Sequence, residues 1–430
     1  MSYVALVMFF VVEYVRPASY VPALAVLKLN SLVPLSAFCG TLLSGTAAAA
    51  KDWVLSDSNT RVVFGLLGLV SLSVLTSDVQ MFAWDRFTAI LGFAIIYWVL
   101  VSELTSVARI QGIFVALVMV HVVVAALNPV LFTNPDQRNY IASGSFLGDG
   151  NDFALSLGIV LPLCLFLFLN AKVWLRPFYM IALLVLVACI VLSQSRGGTL
   201  GLGAMGIYYW LKSPKKAQTG AMALVVVILI ATLAPSAYFT RMQMIGDTQE
   251  GSASGRIMAW GVATQMAIDN PFLGVGAGHF PTKFANEYKP PRYIGPGMTA
   301  HSVYFLALGE LGVPGLAIVL YFILSNLAAN RRLAIEVRKR HGPKAIELQL
   351  LASNSAAVIA FAVAGAFLSA LYYPHLYVIA GLQAAVRSVV RNRCLHGAPI
   401  APVLKSREIF IHPALRRPAA TPLATRRMRS

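Results

Sequence analysis

The sequence predicts an all-α fold, a polytopic bundle of about twelve transmembrane helices with one long polar loop, and three observations support it. The chain is 58% hydrophobic and 12% charged, whereas a soluble domain is about half apolar and about a quarter charged. Its apolar residues form runs of about 16–25 residues, which cross a hydrocarbon core with modest tilt. One long polar stretch, 236–300, separates two of these runs, and loops of such length are usually functional.

The spans follow from the apolar runs, most of which end near a proline or a polar connector, where a missing backbone donor is tolerated. Residues 1–386 form the predicted bundle, and its 236–300 loop is expected to contain short amphipathic helices and part of a functional site. In chain order the twelve predicted spans are 2–14, 31–50, 61–77, 84–102, 109–127, 153–170, 177–193, 196–211, 219–235, 301–326, 350–373 and 374–390.

The basic residues predict the orientation of the bundle. An even number of spans places both termini on one side. Of the 34 Lys and Arg residues, fourteen lie in connectors after even-numbered spans and ten in the tail 387–430. Because Lys and Arg collect on the cytoplasmic side, both termini are predicted to be cytoplasmic and the 236–300 loop to face outward.

The tail 387–430 is basic and rich in proline and alanine, and we expect it to be disordered. Such a segment is attracted to anionic membrane lipids. It lacks the aromatic platforms or folded module that nucleic-acid binding requires. The net charge of +17 therefore predicts membrane topology and lipid contact, and no nucleic-acid partner.

Arg196 is a basic residue on the predicted outer side, where the charge bias disfavours arginine. It lies in the short turn SQSRGG between two spans, and Gly197 and Gly198 allow a close approach of the backbone. One interpretation is a ligand-binding arginine with room for its ligand. The alternative is an interfacial arginine that extends toward lipid phosphates.

Arg256 opens a predicted amphipathic helix, SGRIMAWGVATQMAID, with Ser254 as its N-cap. The helix is too polar to cross a membrane, so we expect it at the outer interface. Arginine in a first helical turn opposes the helix dipole, which indicates a role other than helix stability. The apolar stripe of this helix is predicted to be Ile257, Trp260, Ala263/Thr264 and Ala267.

His301 begins the span that follows the long loop, and a pKa of about 6.5 suits a base or a proton shuttle. The alternative is a structural histidine. Glu310 lies nine residues later, on the opposite helix face, so no His–Glu dyad is expected, whereas Tyr304 shares the face of His301.

Three weaker polar elements accompany these residues. Asp149, Asn151 and Asp152 precede or open the sixth span and either bind sugar hydroxyls or cap the helix. The glycine-rich segment 274–280, GVGAGHF, lacks phosphate-loop spacing and is predicted to be a flexible loop. No metal-ligand motif is evident in the sequence. Outward arginines without a metal site indicate a phosphorylated substrate, because guanidinium groups match phosphate oxygens.

From Gly144 to Leu327 the chain resembles the O-antigen ligase/polymerase family of bacterial envelope glycosyltransferases. The GND element before the sixth span, SQSRGG, the SGR…W helix with its DNPFLGVGAGHF continuation, and AHSVYFLALGELG carry the resemblance. It implies transfer of a glycan from undecaprenyl diphosphate to an acceptor hydroxyl at the periplasmic face of the bacterial inner membrane. It also implies inversion at the anomeric carbon and no metal or other cofactor.

The resemblance also implies roles for individual residues. Arg196 and Arg256 would hold the donor diphosphate, and His301 would act as the general base on the acceptor hydroxyl or orient it. Further glycan or loop contacts are Asp152, Arg241, Arg292 and Tyr304, of which Arg241 and Arg292 match no family motif.

The acceptor stays open at this point. It is lipid A–core in a ligase, another lipid-linked glycan in a polymerase, or a protein. A single long outward loop favours the ligase. The main alternative from another class is a secondary transporter, which predicts internal repeats and ionisable residues at mid-membrane depth.

Overall fold

The computed structural model describes residues 2–134, 141, 146–243, 251–291 and 293–395, and the regular secondary structure within these residues is helical. A π-helical turn, Val11–Val15, continues the first helix, and short 3₁₀ turns join some of the others. The α-helices, numbered in chain order, are α1 Ser2–Phe10, α2 Pro17–Tyr20, α3 Leu29–Leu43, α4 Thr46–Ser56, α5 Ser58–Thr76, α6 Gln80–Glu103, α7 Val107–Leu127, α8 Val130–Thr133, α9 Gly150–Asn170, α10 Arg176–Leu192, α11 Arg196–Lys212, α12 Lys216–Leu233, α13 Ser236–Gln243, α14 Gly251–Asp269, α15 Phe280–Asn286, α16 Val303–His341, α17 Ile346–Gly365 and α18 Pro374–Leu395.

Every predicted span contains a helix, which confirms the helical fold class. By length and composition, eight helical segments of the described chain are able to cross a membrane. They are α5, α6, α7, α9, α10 with the turn before it, α12, α16 and α17. The helices α1 and α3 are apolar but shorter.

Helix α9 lies at the centre of the bundle because it is apolar on every side. It packs against α7, α10, α11 and α17, and most of its side chains are buried. A helix that is hydrophobic all round is stable only where other helices surround it. The polar first turn of α9 is therefore carried to one end of the core.

Two predicted spans were wrong in extent. The span 31–50 is divided into α3 and α4 at Gly45, whose φ of 72° is a backbone conformation that ends a helix. The span 350–373 ends as a helix at Gly365, and residues 366–373 form a turn and a short 3₁₀ helix before Pro374. This turn is apolar because it is buried inside the protein, and hydropathy alone does not distinguish such a turn from a helix.

Helix α16 is interrupted near its start. Gly312 has φ 68° and ψ −164°, and the N–H of Val313 donates to the carbonyl oxygen of Pro271 at 2.9 Å. The segment after α14 therefore docks against a break in a membrane-length helix.

Helix α18 extends beyond the predicted start of the basic tail. Residues 387–395, assigned to that tail, are helical. The rest of the tail, 396–430, lies outside the described residues.

Candidate active site

A cavity of about 360 Å³ lies where α9 and α16 begin and α17 ends. We call this end of the bundle the site end. Arg256, His301 and Asp152 line the cavity, together with Asp149 and Tyr373. The structure therefore brings together three of the predicted site residues from three separate parts of the sequence.

Arg256 reaches the cavity from α14, which begins earlier than predicted. The helix already includes Gly251, so Ser254 lies inside it and is not its N-cap. The predicted apolar stripe was partly wrong, since Ile257 is 48% exposed and Thr264 is also exposed. The buried face is Ala259, Val262, Ala263, Met266 and Ala267, which packs on α16. This packing, set by small side chains, fixes the position of Arg256.

Trp260 connects α14 to the chain just before His301. Its indole Nε1 donates to the carbonyl oxygen of Ala300 at 3.0 Å, and its ring stacks on Phe305 with centroids 5.0 Å apart. One side chain thus holds the segment on both sides of His301.

His301 has an uncommon backbone conformation, with φ 48°. It precedes Ser302, the N-cap of α16, so it lies just outside the helix in which it was predicted. A non-glycine residue in the left-handed region costs about 1–3 kcal/mol and persists only where its surroundings determine it. The bond from Trp260 to Ala300 and the 2.8 Å hydroxyl contact of Thr299 with Ser369 provide such surroundings.

Arg196 is the first residue of α11 and is not among the residues that line the cavity. A Cβ at Gly197 would lie 3.2 Å from Phe367, and one at Gly198 would lie 2.6 Å from Ala154. The two glycines therefore admit neighbouring chain segments, where the sequence had indicated room for a ligand. The start of α11 thus packs against Phe367, which precedes the lining residue Leu368 in the chain.

Asp149 takes one of the two roles that the sequence left open, the helix cap. The side chain of Asp149 accepts the backbone N–H of Asn151 at 2.7 Å and caps α9. Asp152, 7% exposed, lies in the first turn of α9 on the cavity wall.

Tyr304 and Arg241 do not line the cavity. Tyr304 donates its hydroxyl to the carbonyl oxygen of Ala362 at 2.7 Å, which joins α16 to α17 outside the cavity lining. Arg241 is carried by α13, outside the lining residues, and Arg292 lies outside the described residues.

The glycine-rich segment 274–280, predicted to be flexible, is bonded to the break in α16. The N–H groups of Val275 and Gly276 donate to the carbonyl oxygens of Gly309 and Glu310 at 2.9 and 3.0 Å. This arrangement requires glycine at 274, where φ is 61° and a Cβ would lie 2.4 Å from the backbone of Glu310.

Glu310 anchors this segment through its side chain. It accepts the N–H groups of Gly278 and Phe280 at 2.8 and 2.9 Å and the hydroxyl of Tyr372 at 2.6 Å. As expected from the helix spacing, it does not pair with His301. Sequence reasoning missed the anchoring role, for which GELGVPG at 309–315, with glycine and proline inside an apolar span, was the available signal.

Tyr373, which sequence reasoning also missed, lies between α17 and α18 and lines the cavity. Burial, reinforced by the carboxylate of Asp152, raises the pKa of its phenol. The phenol therefore stays protonated at neutral pH and offers the cavity a hydrogen-bond donor.

Residues 181–320 match the family model for O-antigen ligase. This part of the chain, 140 of its 430 residues, is similar to the O-antigen ligase family. Together with its spanning-length helices, the match identifies a membrane protein. No curated protein sequence matches the chain.

The matched region carries Arg196, Arg256 and His301, and it confirms the resemblance read from the motifs. It covers about a third of the chain. Asp152 and Tyr373 lie outside it, so the cavity is completed by parts of the chain beyond the family model.

Proposed function

We propose that this protein is an enzyme of the O-antigen ligase family that transfers a glycan from undecaprenyl diphosphate to an acceptor hydroxyl, with inversion and without a metal, at the periplasmic face of the bacterial inner membrane. The observation that carries the proposal is the shared cavity of Arg256, His301 and Asp152. It combines a phosphate-binding cation, a base and a carboxylate able to accept hydrogen bonds from sugar hydroxyls.

The reaction forms one bond and breaks one. The acceptor oxygen attacks the anomeric carbon, while the bond from that carbon to the diphosphate oxygen breaks and its electron pair leaves on the diphosphate. His301 takes the proton of the acceptor hydroxyl. Arg256, together with Arg196, stabilises the charge that develops on the leaving group.

The acceptor that we favour is lipid A–core, as in a ligase, with another lipid-linked glycan or a protein as alternatives. The loop 236–300 supports this choice as the one long outward loop of the sequence. Anionic lipids contact the basic tail, and both termini are cytoplasmic in this proposal.

The test is glycan transfer in a deletion host complemented with wild type, Arg196→Ala, Arg256→Ala or His301→Ala at matched membrane expression. Loss of a leaving-group cation is expected to lower transfer by about 10²–10³-fold, and loss of the base by about 10²–10⁴-fold. Glu336→Ala, which removes an exposed glutamate of the i,i+4 pair with Arg340, is the matched control and should transfer normally.

The readout separates glycan-bearing lipid A–core, lengthened lipid-linked polymer and glycosylated protein. Whichever product the wild type forms identifies the acceptor. Undiminished transfer by all three variants, or release of free glycan without any acceptor, would overturn the proposal. Transport of an unmodified lipid-linked glycan would support the secondary transporter instead.

A further inference from the structure

The wall of the cavity carries one arginine and two carboxylates. Arg256 is accompanied by Asp149 and Asp152 among the lining residues. A diphosphate brings further negative charge, so another cation at the site end would favour its binding.

Arg86 is such a cation, held in place beside the cavity. It lies near the start of α6 and is exposed, and its guanidinium carbon lies 5.4 Å from the ring centroid of Tyr372. A Cβ at Gly278 would lie 3.2 Å from Cγ and 3.3 Å from Nε of Arg86. The arginine is thus packed between the glycine-rich segment and Tyr372, the neighbour of the cavity residue Tyr373.

The guanidinium of Arg86 forms no ion pair with a carboxylate of the described chain within 4.0 Å. It interacts electrostatically with Glu310, but that carboxylate already accepts three hydrogen bonds. The cation–π contact with the face of the Tyr372 ring orients the guanidinium of Arg86. Its N–H groups therefore stay available to the oxygens of an oxyanion such as phosphate.

We propose that Arg86 binds a phosphate oxyanion of a substrate at the Tyr373 side of the cavity and so positions that substrate for transfer. This inference rests on the proposed function. The phosphate has two possible sources, the diphosphate of the donor or a phosphate group on the acceptor. Both supply the same chemistry to the guanidinium, and the experiment distinguishes them.

The experiment compares wild type, Arg86→Gln and Arg86→Lys in proteoliposomes supplied with undecaprenyl-diphosphate glycan and acceptor. We expect Arg86→Gln to raise one KM about tenfold, the effect of one charge-assisted hydrogen bond, with a smaller change in kcat. Arg86→Lys should recover part of the loss because it restores the charge without the planar fork. Arg391→Gln, which removes a guanidinium 5.5 Å from the ring of Trp53, is the matched control and should leave both KM values unchanged.

The substrate whose KM rises in Arg86→Gln identifies the source of the phosphate. A rise in the donor KM assigns the donor diphosphate. A rise in the acceptor KM that disappears with dephosphorylated acceptor assigns an acceptor phosphate. Unchanged KM values for both substrates in Arg86→Gln would overturn the inference.

Two further measurements separate binding from folding and from the proposed function. Tyr372→Phe removes the hydroxyl bond to Glu310 but keeps the ring under Arg86, so it should lower thermal stability and leave both KM values near wild type. A KM change in Tyr372→Phe equal to that of Arg86→Gln would assign Arg86 a purely structural role. Binding of inorganic diphosphate should weaken about tenfold in Arg86→Gln, a result that stands even if the wild type transfers no glycan.

Discussion

The bundle holds two arginine clusters with similar chemistry and different surroundings. Arg387 donates to both carboxylate oxygens of Asp57 at 2.9 Å and to the side-chain oxygen of Asn326 at 2.6 Å. Asn326 in turn exchanges hydrogen bonds with Asn59 at 2.8 and 3.1 Å. Arg256, by contrast, lies on the wall of a cavity of about 360 Å³.

The difference shows that an arginine inside an apolar bundle does not by itself mark a site. Arg387 and Asp57 are 4% and 5% exposed, and they satisfy each other with no space between them for a ligand. The site end adds a cavity and left-handed backbone at His301. Ligand-sized space and backbone strain distinguish a candidate site from a structural ion pair.

Breaking the buried cluster of Arg387, Asp57, Asn326 and Asn59, called the closed cluster below, should give the largest loss of stability. Arg387→Ala leaves Asp57 as an uncompensated buried charge, so the free energy of unfolding should fall by about 3–5 kcal/mol. Equilibrium unfolding in mixed micelles measures this change. Transfer per folded molecule should remain near wild type, because Asp57 caps the end of α5 that lies farther from the glycine-rich segment. The other end, at Ser77, adjoins Gly276 of that segment and lies about 30 Å away along the helix.

The double variant Asp57→Asn, Arg387→Met is the control for this prediction. Removing both charges should cost less than removing one, since neither partner stays buried and unpaired. Equal stability in the single and double variants would show that the pair contributes packing alone. If Arg387→Ala kept full stability but lost transfer, the Arg387 cluster would also act in the reaction, and its interpretation as a structural ion pair would be wrong.

The same distinction explains how much of the fold was available from the sequence. Apolar run lengths predicted a helix in every span, and the charge bias directed attention to the basic residues on the predicted outer side, Arg196 first among them. Both signals are local, because spanning length and connector charge are properties of consecutive residues. The position of Asp152 also followed from its place before an apolar run.

The missed residues depend on contacts between distant segments. Glu310 was assigned to a helix face, whereas its partners Gly278, Phe280 and Tyr372 come from other parts of the chain. Tyr373 was placed in a span because its segment is apolar, although Pro374 favours an extended residue before it. Periodicity does not report which non-helical segments dock together.

Disrupting the docked glycine-rich segment should have the next largest effect. In Gly274→Ala the new Cβ would lie 2.4 Å from the backbone of Glu310 at a φ of 61°, so the segment must shift. We expect a loss of about 1–3 kcal/mol and about tenfold lower transfer, because a small displacement near reacting groups costs 10²-fold or less. Thermal unfolding and transfer assays measure the two effects.

Gly261→Ala is the matched control for Gly274→Ala. Gly261 lies inside α14 with open space at its Cβ position, and alanine there should be neutral or slightly stabilising through helix propensity. If Gly274→Ala changed neither stability nor transfer, docking of the glycine-rich segment would not be needed at the site end. The difference between the site end and the Arg387 cluster would then rest on the cavity alone.

The smallest effect is expected at the exposed ion pair that joins α15 to the connector between α5 and α6. Lys283 Nζ lies 2.6 Å from Asp78 Oδ2 and 2.6 Å from Glu287 Oε1. The hydrogen bond from Lys283 lowers the pKa of Asp78, and the bond to Asp78 is the main reason that the pKa of Lys283 is raised. Because Asp78 is exposed, solvent screens the pair and its contribution is small.

The signs of these shifts give the pH dependence. Asp78 stabilises the fold above its unfolded pKa, and this contribution is lost as the pH falls through its lowered folded pKa. Lys283 stabilises the fold below its unfolded pKa, and this contribution is lost as the pH rises through its raised folded pKa. Asp78→Asn should therefore lower Tm slightly at neutral pH, with the difference vanishing in strong acid, in strong base and at high salt. A Tm difference that persists at high salt would mean that Asp78 acts by packing, and that the pair belongs with the closed Arg387 cluster.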